Sequence, residues 1–323
     1  MTVRVLVLDD YQDVARRLGP WADLAGVVEV DLDVRTTHLE AAELRDALAP
    51  AQVVVAMRER TPLPRSVLAQ APNLKLVVTT GMANAAIDID ACHERGIEVR
   101  GTGGLRTSTA ELTWGLILAL TRHICAEDRG IRGGGWQHTL GLELRGARLG
   151  VVGLGHLGEA VARVGIAFGM DVVAWSQHLT TERAQAVGVA AVSKAELLSS
   201  SDIVTLHLKL SERTRAVIGA AELAAMKPTA YLVNTSRGPL IDESALVAAL
   251  HADTIAGAGL DVFDVEPLPL DHPLRSAPNT VLTPHIGYVT DATYEVWWRH
   301  VVEDVRAWAS RSQGPDADSL RLL

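Results

Sequence analysis

Short, near-continuous apolar runs punctuate the chain, and between them apolar positions recur at the three-and-four spacing of an amphipathic helix. In the first hundred residues the runs fall at Val3–Leu8, Val27–Leu32, Val53–Ala56 and Leu74–Val78. Helical spacing separates them at Asp13–Leu24, Leu39–Leu48, Arg65–Gln70 and Ile89–Arg95. A strand that is apolar at every position is buried on both faces, and strands alternating with helices predict a parallel sheet covered on each side. A second series opens with a long helix predicted from about Thr107 to Ala126, crosses the glycine-rich arm Gly133-Gly134-Gly135-Trp136, and resumes at Leu149–Val152. Its later strands are predicted near Met170–Trp175, Ile203–Leu206, Tyr231–Asn234, Ala256–Leu260 and Thr280–Leu282. Two doubly wound α/β domains are the simplest account.

Composition narrows the function classes. With 323 residues and 48% hydrophobic side chains, the chain can bury a large core. Its net charge of −9 offers no basic face, so no nucleic-acid partner is expected. Cys92 and Cys125 are the only cysteines and belong to no ligand spacing, so neither a disulfide nor a metal is expected and a reducing cytoplasm fits. The N-terminal Met1–Asp9 reads as a strand rather than a signal peptide. The most apolar helix, Leu112–Ala126, is interrupted by Thr113, Thr121, Arg122 and His123, so no membrane role is expected.

The segment Gly150-Val151-Val152-Gly153-Leu154-Gly155-His156-Leu157-Gly158 runs from a strand through GxGxxG into a helix, Glu159–Phe168. Alone the pattern is weak; between strand and helix it is a phosphate cradle. Gly153 permits the turn, Gly155 lets backbone approach a pyrophosphate, Gly158 lets helix pack on strand, and the helix start offers free N–H groups at His156 and Leu157. The second strand then ends in Trp175-Ser176-Gln177-His178, without the carboxylate that usually holds a ribose 2′-hydroxyl. No Arg or Lys lies in that turn, the nearest being Arg183, so NAD(H) and NADP(H) both remain open.

Three further segments follow: Asn234-Thr235-Ser236-Arg237-Gly238-Pro239, Gly259-Leu260-Asp261-Val262-Phe263-Asp264-Val265-Glu266-Pro267 and Thr283-Pro284-His285-Ile286-Gly287. Each of Arg237, Glu266 and His285 alone reads as an ordinary loop residue. Jointly, after successive strands and behind the glycine motif, the segments resemble the signature of the D-isomer-specific 2-hydroxyacid dehydrogenases, over nearly the whole chain. The resemblance implies a Rossmann cofactor domain, 101–289, inserted in a flavodoxin-like substrate domain, 1–100 plus 290–323, with the last helix, about Asp291–Trp308, packing back on the latter. It implies hydride transfer between NAD(P)H and C2 of a small anionic 2-keto or 2-hydroxy acid. The catalytic trio would be Arg237, Glu266 and His285.

The chemistry explains the residue types. As hydride reaches C2, negative charge grows on the keto oxygen, and His285 would deliver the proton there. Glu266 would fix the imidazole tautomer and favour its protonated form. Arg237 would grip the substrate carboxylate with a planar fork. By the same resemblance Asp261 would bind the nicotinamide carboxamide, while Thr235, Ser236, His207 and Gly287 lie along the cofactor with Ser176 and Gln177. In the first domain the amides of Thr80, Gly81 and Met82 would bind a carboxylate as a backbone concavity, and Arg58 would select a distal anion. The segment Gly101-Thr102-Gly103-Gly104 is expected to act as a loose hinge. The helix near Leu112–Leu120 and the glycine arm resemble the family's dimer interface, implying a homodimer. The alternative is a nucleotide-sensing protein on the same scaffold, like the C-terminal-binding-protein corepressors, since fold does not settle function.

Overall fold

A computed structural model describes residues 2–105 and 107–311. The chain divides into two units, one running through Leu105 and resuming at Thr290, the other lying between them in sequence and ending at Val289. The second is therefore an insertion in the first.

The first unit holds β1 (Thr2–Val7), α1 (Ala15–Leu18), β2 (Glu29–Val34), α2 (Ala41–Leu48), β3 (Val53–Ala56), α3 (Arg65–Leu68), β4 (Leu76–Thr79), α4 (Ile89–Glu94) and β5 (Glu98–Gly101). All strands are parallel, in the order β2-β1-β3-β4-β5, the flavodoxin-like arrangement. Leu6, Val54 and Val77 face a layer with Leu44, Leu48, Leu68 and Cys92 from α2, α3 and α4. The helix expected over Asp13–Leu24 is broken: α1 has four residues and a 3-10 turn follows at Trp21–Leu24. Gly19-Pro20 causes the break, because a residue before proline is driven out of the helical region, and Gly19 sits extended at ψ 125°. β5 escaped the apolar pattern because Glu98 and Arg100 pair with each other, at 2.6 Å.

The second unit holds α5 (Ser108–Thr121), α6 (Ile124–Arg132), β6 (Arg148–Val152), α7 (His156–Ala167), β7 (Asp171–Trp175), α8 (Thr181–Val187), β8 (Ala190–Ala191), α9 (Lys194–Ser200), β9 (Ile203–Leu206), α10 (Ala220–Ala225), β10 (Tyr231–Asn234), α11 (Glu243–His251), β11 (Gly257–Leu260) and β12 (Thr280–Leu282). Its parallel sheet is ordered β12-β11-β10-β9-β6-β7-β8, so strand order reverses between β6 and β9, the switch point outside which ligands bind in such sheets. Alternate side chains feed two cores. Leu149, Val151 and Ile203 join Trp114, Ile117 and Val161 of α5 and α7, whereas Val152, Val204 and Leu206 join Leu197, Leu223 and Leu246 of α9, α10 and α11. The long helix expected over Thr107–Ala126 divides at His123, whose φ of 50° is left-handed, and α6 restarts beyond it with no buried residue.

The chain then returns to the first unit as α12 (Asp291–Arg311), which packs on α1 and β4. Trp298 is fully buried there beside Trp21, with ring centroids 6.3 Å apart.

Candidate active site

The glycine motif sits at the switch point of the second sheet. Gly153 has φ +103°, and a Cβ on it would stand 2.6 Å from the His207 carbonyl oxygen; one on Gly158 would stand 2.0 Å from the Gly153 carbonyl oxygen. Those two glycines are therefore required by close packing. Gly155 differs, since a Cβ there would meet nothing within 4 Å. The space above it is open, and α7 begins at His156, where first-turn N–H groups have no intrahelical acceptor and the helix dipole favours an anion. An unfilled cradle of backbone N–H groups is what a dinucleotide pyrophosphate requires. Leu157 packs its side chain toward the core, so only its backbone is offered.

At the end of β7, the Ser176 hydroxyl accepts the Leu154 N–H at 3.0 Å and so fastens the glycine loop. Gln177 and His178 are exposed. Arg183, the nearest cation in sequence, is paired with Glu159 at 2.7 Å, and the same carboxylate also holds Arg163 at 2.8 Å. Part of the charge available to a 2′-phosphate is thus already balanced.

Other expected cofactor contacts are committed inside the protein. Burial pushes the His207 imidazole down to about 3, so it is neutral and supplies no cation; its Nε2 lies 2.9 Å from the Thr205 hydroxyl. Ser236 donates its one proton to the Leu206 carbonyl at 2.7 Å. The Thr235 hydroxyl lies 2.8 Å from that of Thr113 and is nearly buried. Ser236 and Thr235 can therefore accept from a cofactor in this conformation, not donate. Asp261, which the resemblance puts on the nicotinamide, is fully buried and holds the loop after β12. It accepts from the Thr283 hydroxyl (2.6 Å), Ile286 N–H (2.8 Å) and Gly287 N–H (2.8 Å). Such bonds to a charged group contribute about 1.5–3 kcal/mol each, against several kcal/mol for burying the ion. Burial prevails, and the Asp261 carboxyl lies above its usual range.

The loop that Asp261 grips carries His285. The backbone of His285 is left-handed at φ 54°, a conformation uncommon for a side chain of this size. Its Nδ1 lies 2.6 Å from Glu266 Oε2. Glu266 Oε1 also accepts the Phe263 N–H at 2.9 Å. Burial pushes the Glu266 carboxyl up, but the hydrogen bond and charge of His285, the Phe263 N–H and the nearby Arg237 outweigh it, and the net direction is down. Glu266 is therefore ionised, and a carboxylate on Nδ1 leaves Nε2 as the reactive nitrogen. Tyr288 packs its ring edgewise against the imidazole, at 5.2 Å between centroids. Arg237 follows β10 and donates to the Ser236 carbonyl at 2.7 Å. Asn234 folds this loop, donating to the Arg237 carbonyl (2.8 Å) and accepting the Ser236 N–H (3.0 Å). Arg237, Glu266 and His285 are thus brought together; Asn234, Thr283 and Thr113 are positioning groups the sequence reading missed. An Asn as the last residue of a strand is the one local signal that points to one of them.

The first unit carries its own set. Arg58 follows β3 in a left-handed conformation, φ 57°, and donates to the Thr80 carbonyl at 3.3 Å. Of the three amides expected to face an anion, Thr80 donates to the Ala56 carbonyl (3.0 Å) and Gly81 to the Thr102 hydroxyl (2.8 Å). Those two are corrections to the expectation; Met82, 75% exposed, is the remaining member. The Arg58 guanidinium lies on Gly81 so closely that a Cβ there would fall 1.8 Å from Nη1. Thr102 is buried and Gly103 donates to His300 Nδ1 at 3.1 Å, so these two residues of the expected hinge are anchored within the first unit.

Known proteins resemble this chain over most of its length. The profile of the D-isomer specific 2-hydroxyacid dehydrogenase NAD-binding domain matches residues 114–287. A glyoxylate reductase of Aeropyrum pernix is 42% identical over 236 residues, which cover 70% of this chain and 70% of that one. A D-3-phosphoglycerate dehydrogenase of Methanocaldococcus jannaschii is 36% identical over 94% of this chain and 57% of its own length. The crystal structure of a phosphoglycerate oxidoreductase from Vibrio cholerae superposes with a TM-score of 0.90 at 36% identity, covering 95% of this chain and 99% of the other.

Proposed function

The chain belongs to the D-isomer specific 2-hydroxyacid dehydrogenase family, and on that premise we propose that it reduces a small 2-keto acid, or oxidises the matching D-2-hydroxy acid, with NAD(H) or NADP(H). The observation that carries the reading is the 2.6 Å His285–Glu266 pair with Arg237 beside it, after successive strands of the sheet that also bears the open glycine cradle. Gly153, Gly155, His156, Leu157 and Gly158 would hold the pyrophosphate. When bound, the nicotinamide supplies the hydride. His285 gives its Nε2 proton to the oxygen of C2 as that oxygen gains charge, and takes it back in the oxidation direction. Ionised Glu266 stabilises the protonated ring, and Arg237 holds the carboxylate of the acid. In the first unit, Arg58 and the Met82 amide bind an anionic group of the substrate.

The second unit is the nucleotide-binding domain and the first the substrate-binding domain in this reading. The protein is a cytoplasmic homodimer without a nucleic-acid or membrane partner. Supporting this are a net charge of −9, two unpaired cysteines, no helix among the described residues long and apolar enough to cross a membrane, and an apolar face on α6 and the arm after it. Ile124, Ile131, Trp136 and Leu140 there are 52%, 56%, 72% and 94% exposed. Glyoxylate, hydroxypyruvate and pyruvate supplied in turn with NADH and NADPH provide the test, followed by nicotinamide absorbance. Binding of the dinucleotide without turnover of any 2-keto acid would overturn the proposal.

A further inference from the structure

Helix α5 bears two threonines, one turn apart, that touch both catalytic loops of the second unit. We propose that Thr109, Thr113 and Thr235 form a positioning chain that sets the Arg237 loop against the His285 loop; this rests on the reading of Arg237 and His285 as the reacting pair.

Proton bookkeeping gives the chain its direction. A hydroxyl has one proton and two lone pairs. Thr113 is fully buried, and its hydroxyl donates to the Thr109 carbonyl at 2.8 Å. The 2.8 Å contact between the Thr113 and Thr235 hydroxyls must then run from Thr235 to Thr113. Thr109 donates its own proton to the Gly287 carbonyl at 3.0 Å. The loop after β10 is thereby tied, through one turn of a helix that packs on β10, β11 and β12, to the loop after β12. The far end is tightly held: a Cβ on Gly287 would stand 3.1 Å from Asp261 Oδ2 and 3.1 Å from Thr109 Cγ2. The hydroxyls of these three threonines bond to one another and to the loop and helix backbone, so they act through the loops.

The same helix contains its own control. Thr121 is also fully buried and donates to the Ile117 carbonyl at 2.8 Å, with no side-chain bond to either loop among the described residues. Replacing Thr113 or Thr121 by valine deletes the same hydroxyl from the same helix, but only Thr113→Val leaves the Thr235 proton without an acceptor and separates the loops.

The test compares Thr113→Val, Thr113→Ser and Thr121→Val with the parent, measuring kcat, dinucleotide affinity by tryptophan quenching with NADH and NADPH, and amide hydrogen exchange across 283–289. For Thr113→Val, kcat is expected to fall about tenfold or more, since small misplacements of reacting groups cost this much, with dinucleotide affinity within about twofold of the parent. Ile286 and Gly287, whose amides bond to Asp261, are expected to exchange faster although Thr113 does not touch them. Thr113→Ser restores the parent behaviour and Thr121→Val retains it. Parent-like exchange at 286 and 287 in Thr113→Val, or equal losses in Thr113→Val and Thr121→Val, would overturn the chain. A parent without turnover of 2-keto acids would overturn the functional reading instead, and the exchange comparison would still decide for or against the chain.

Discussion

The two sheets of this protein have the same all-parallel construction, yet their carboxyl ends are finished differently. In the second unit the loops turn backbone groups inward onto Asp261 and Asn234 and the Thr235 hydroxyl onto Thr113, and this lets His285, Glu266 and Arg237 present chemistry beside an open glycine cradle. In the first unit the loops are closed by side chains. Arg58 covers Gly81, Thr102 takes the Gly81 amide, and the buried Asp9 accepts from the Thr61 hydroxyl at 2.6 Å while lying 3.0 Å from His38. Strand topology chooses where a ligand can bind; which edge is reactive depends on whether the loop groups are satisfied by one another or left facing outward.

The largest effect expected from breaking this contrast is at His285. His285→Gln keeps a polar side chain but removes the proton donor, and kcat is expected to fall by about 10²–10⁴. Dinucleotide affinity, measured separately, is expected to hold. Glu266→Gln preserves an acceptor for Nδ1–H and removes only the charge. Its kcat is expected to fall by about tenfold, read from initial rates at saturating 2-keto acid. The parent carboxyl of Glu266 is depressed by folding. Its contribution to stability is therefore complete above the ordinary carboxylate range and is lost as pH falls through the depressed value. Acid unfolding followed by near-UV circular dichroism should show a smaller pH dependence in that low window for Glu266→Gln than for the parent.

The glycine cradle gives the next contrast, within a single loop. Gly155 has φ −84° and ψ −166°, which any residue adopts, and no atom within 4 Å of a Cβ. Gly155→Val is expected to weaken NADH or NADPH binding by roughly 10- to 100-fold by filling the cradle, at a stability cost of no more than about 1 kcal/mol. Gly158→Ala, a smaller change, forces the Gly153 carbonyl aside and is expected to lose about 1–3 kcal/mol. Denaturant titrations and dinucleotide binding on both variants separate the two; equal losses of affinity and stability in Gly155→Val would contradict an open cradle.

Much of this was legible in the residues. Apolar runs marked the central strands because both faces of a parallel sheet are covered, and GxGxxG, Arg237, Glu266 and His285 stood out by position after those strands. What escaped depends on partners remote in sequence. Nothing near Thr80-Gly81 announces that Thr102 will take the Gly81 amide, and nothing near Ser236 announces that its proton goes to Leu206. The left-handed backbones of Arg58, His123 and His285 have no compositional sign, since any non-glycine residue is uncommon in that region. A motif marks Asp261 as needed but does not announce that its carboxylate will accept from Thr283, Ile286 and Gly287.

In the first unit, Arg58→Ala tests whether the closed edge still selects substrates. The kcat/KM ratio for 2-keto acids with and without a second anionic group is expected to drop by about tenfold. An unchanged ranking would reduce Arg58 to a brace for the Thr80 carbonyl.

The smallest effect concerns Ser176, and its geometry makes the outcome specific. The hydroxyl accepts the Leu154 N–H at 3.0 Å, a bond that a carboxylate at the same position can also accept with one oxygen. Ser176→Asp therefore keeps the glycine loop fastened and adds a second oxygen and a negative charge at the end of β7. That charge opposes a 2′-phosphate and favours a ribose hydroxyl, while the Arg183 charge that would offset it is already shared with Glu159. A shift of the NADH over NADPH preference by about fivefold, roughly 1 kcal/mol, is expected. Parallel weakening of both dinucleotides would mean instead that the loop had been disturbed, and an unchanged ratio would place the 2′-position away from the end of β7.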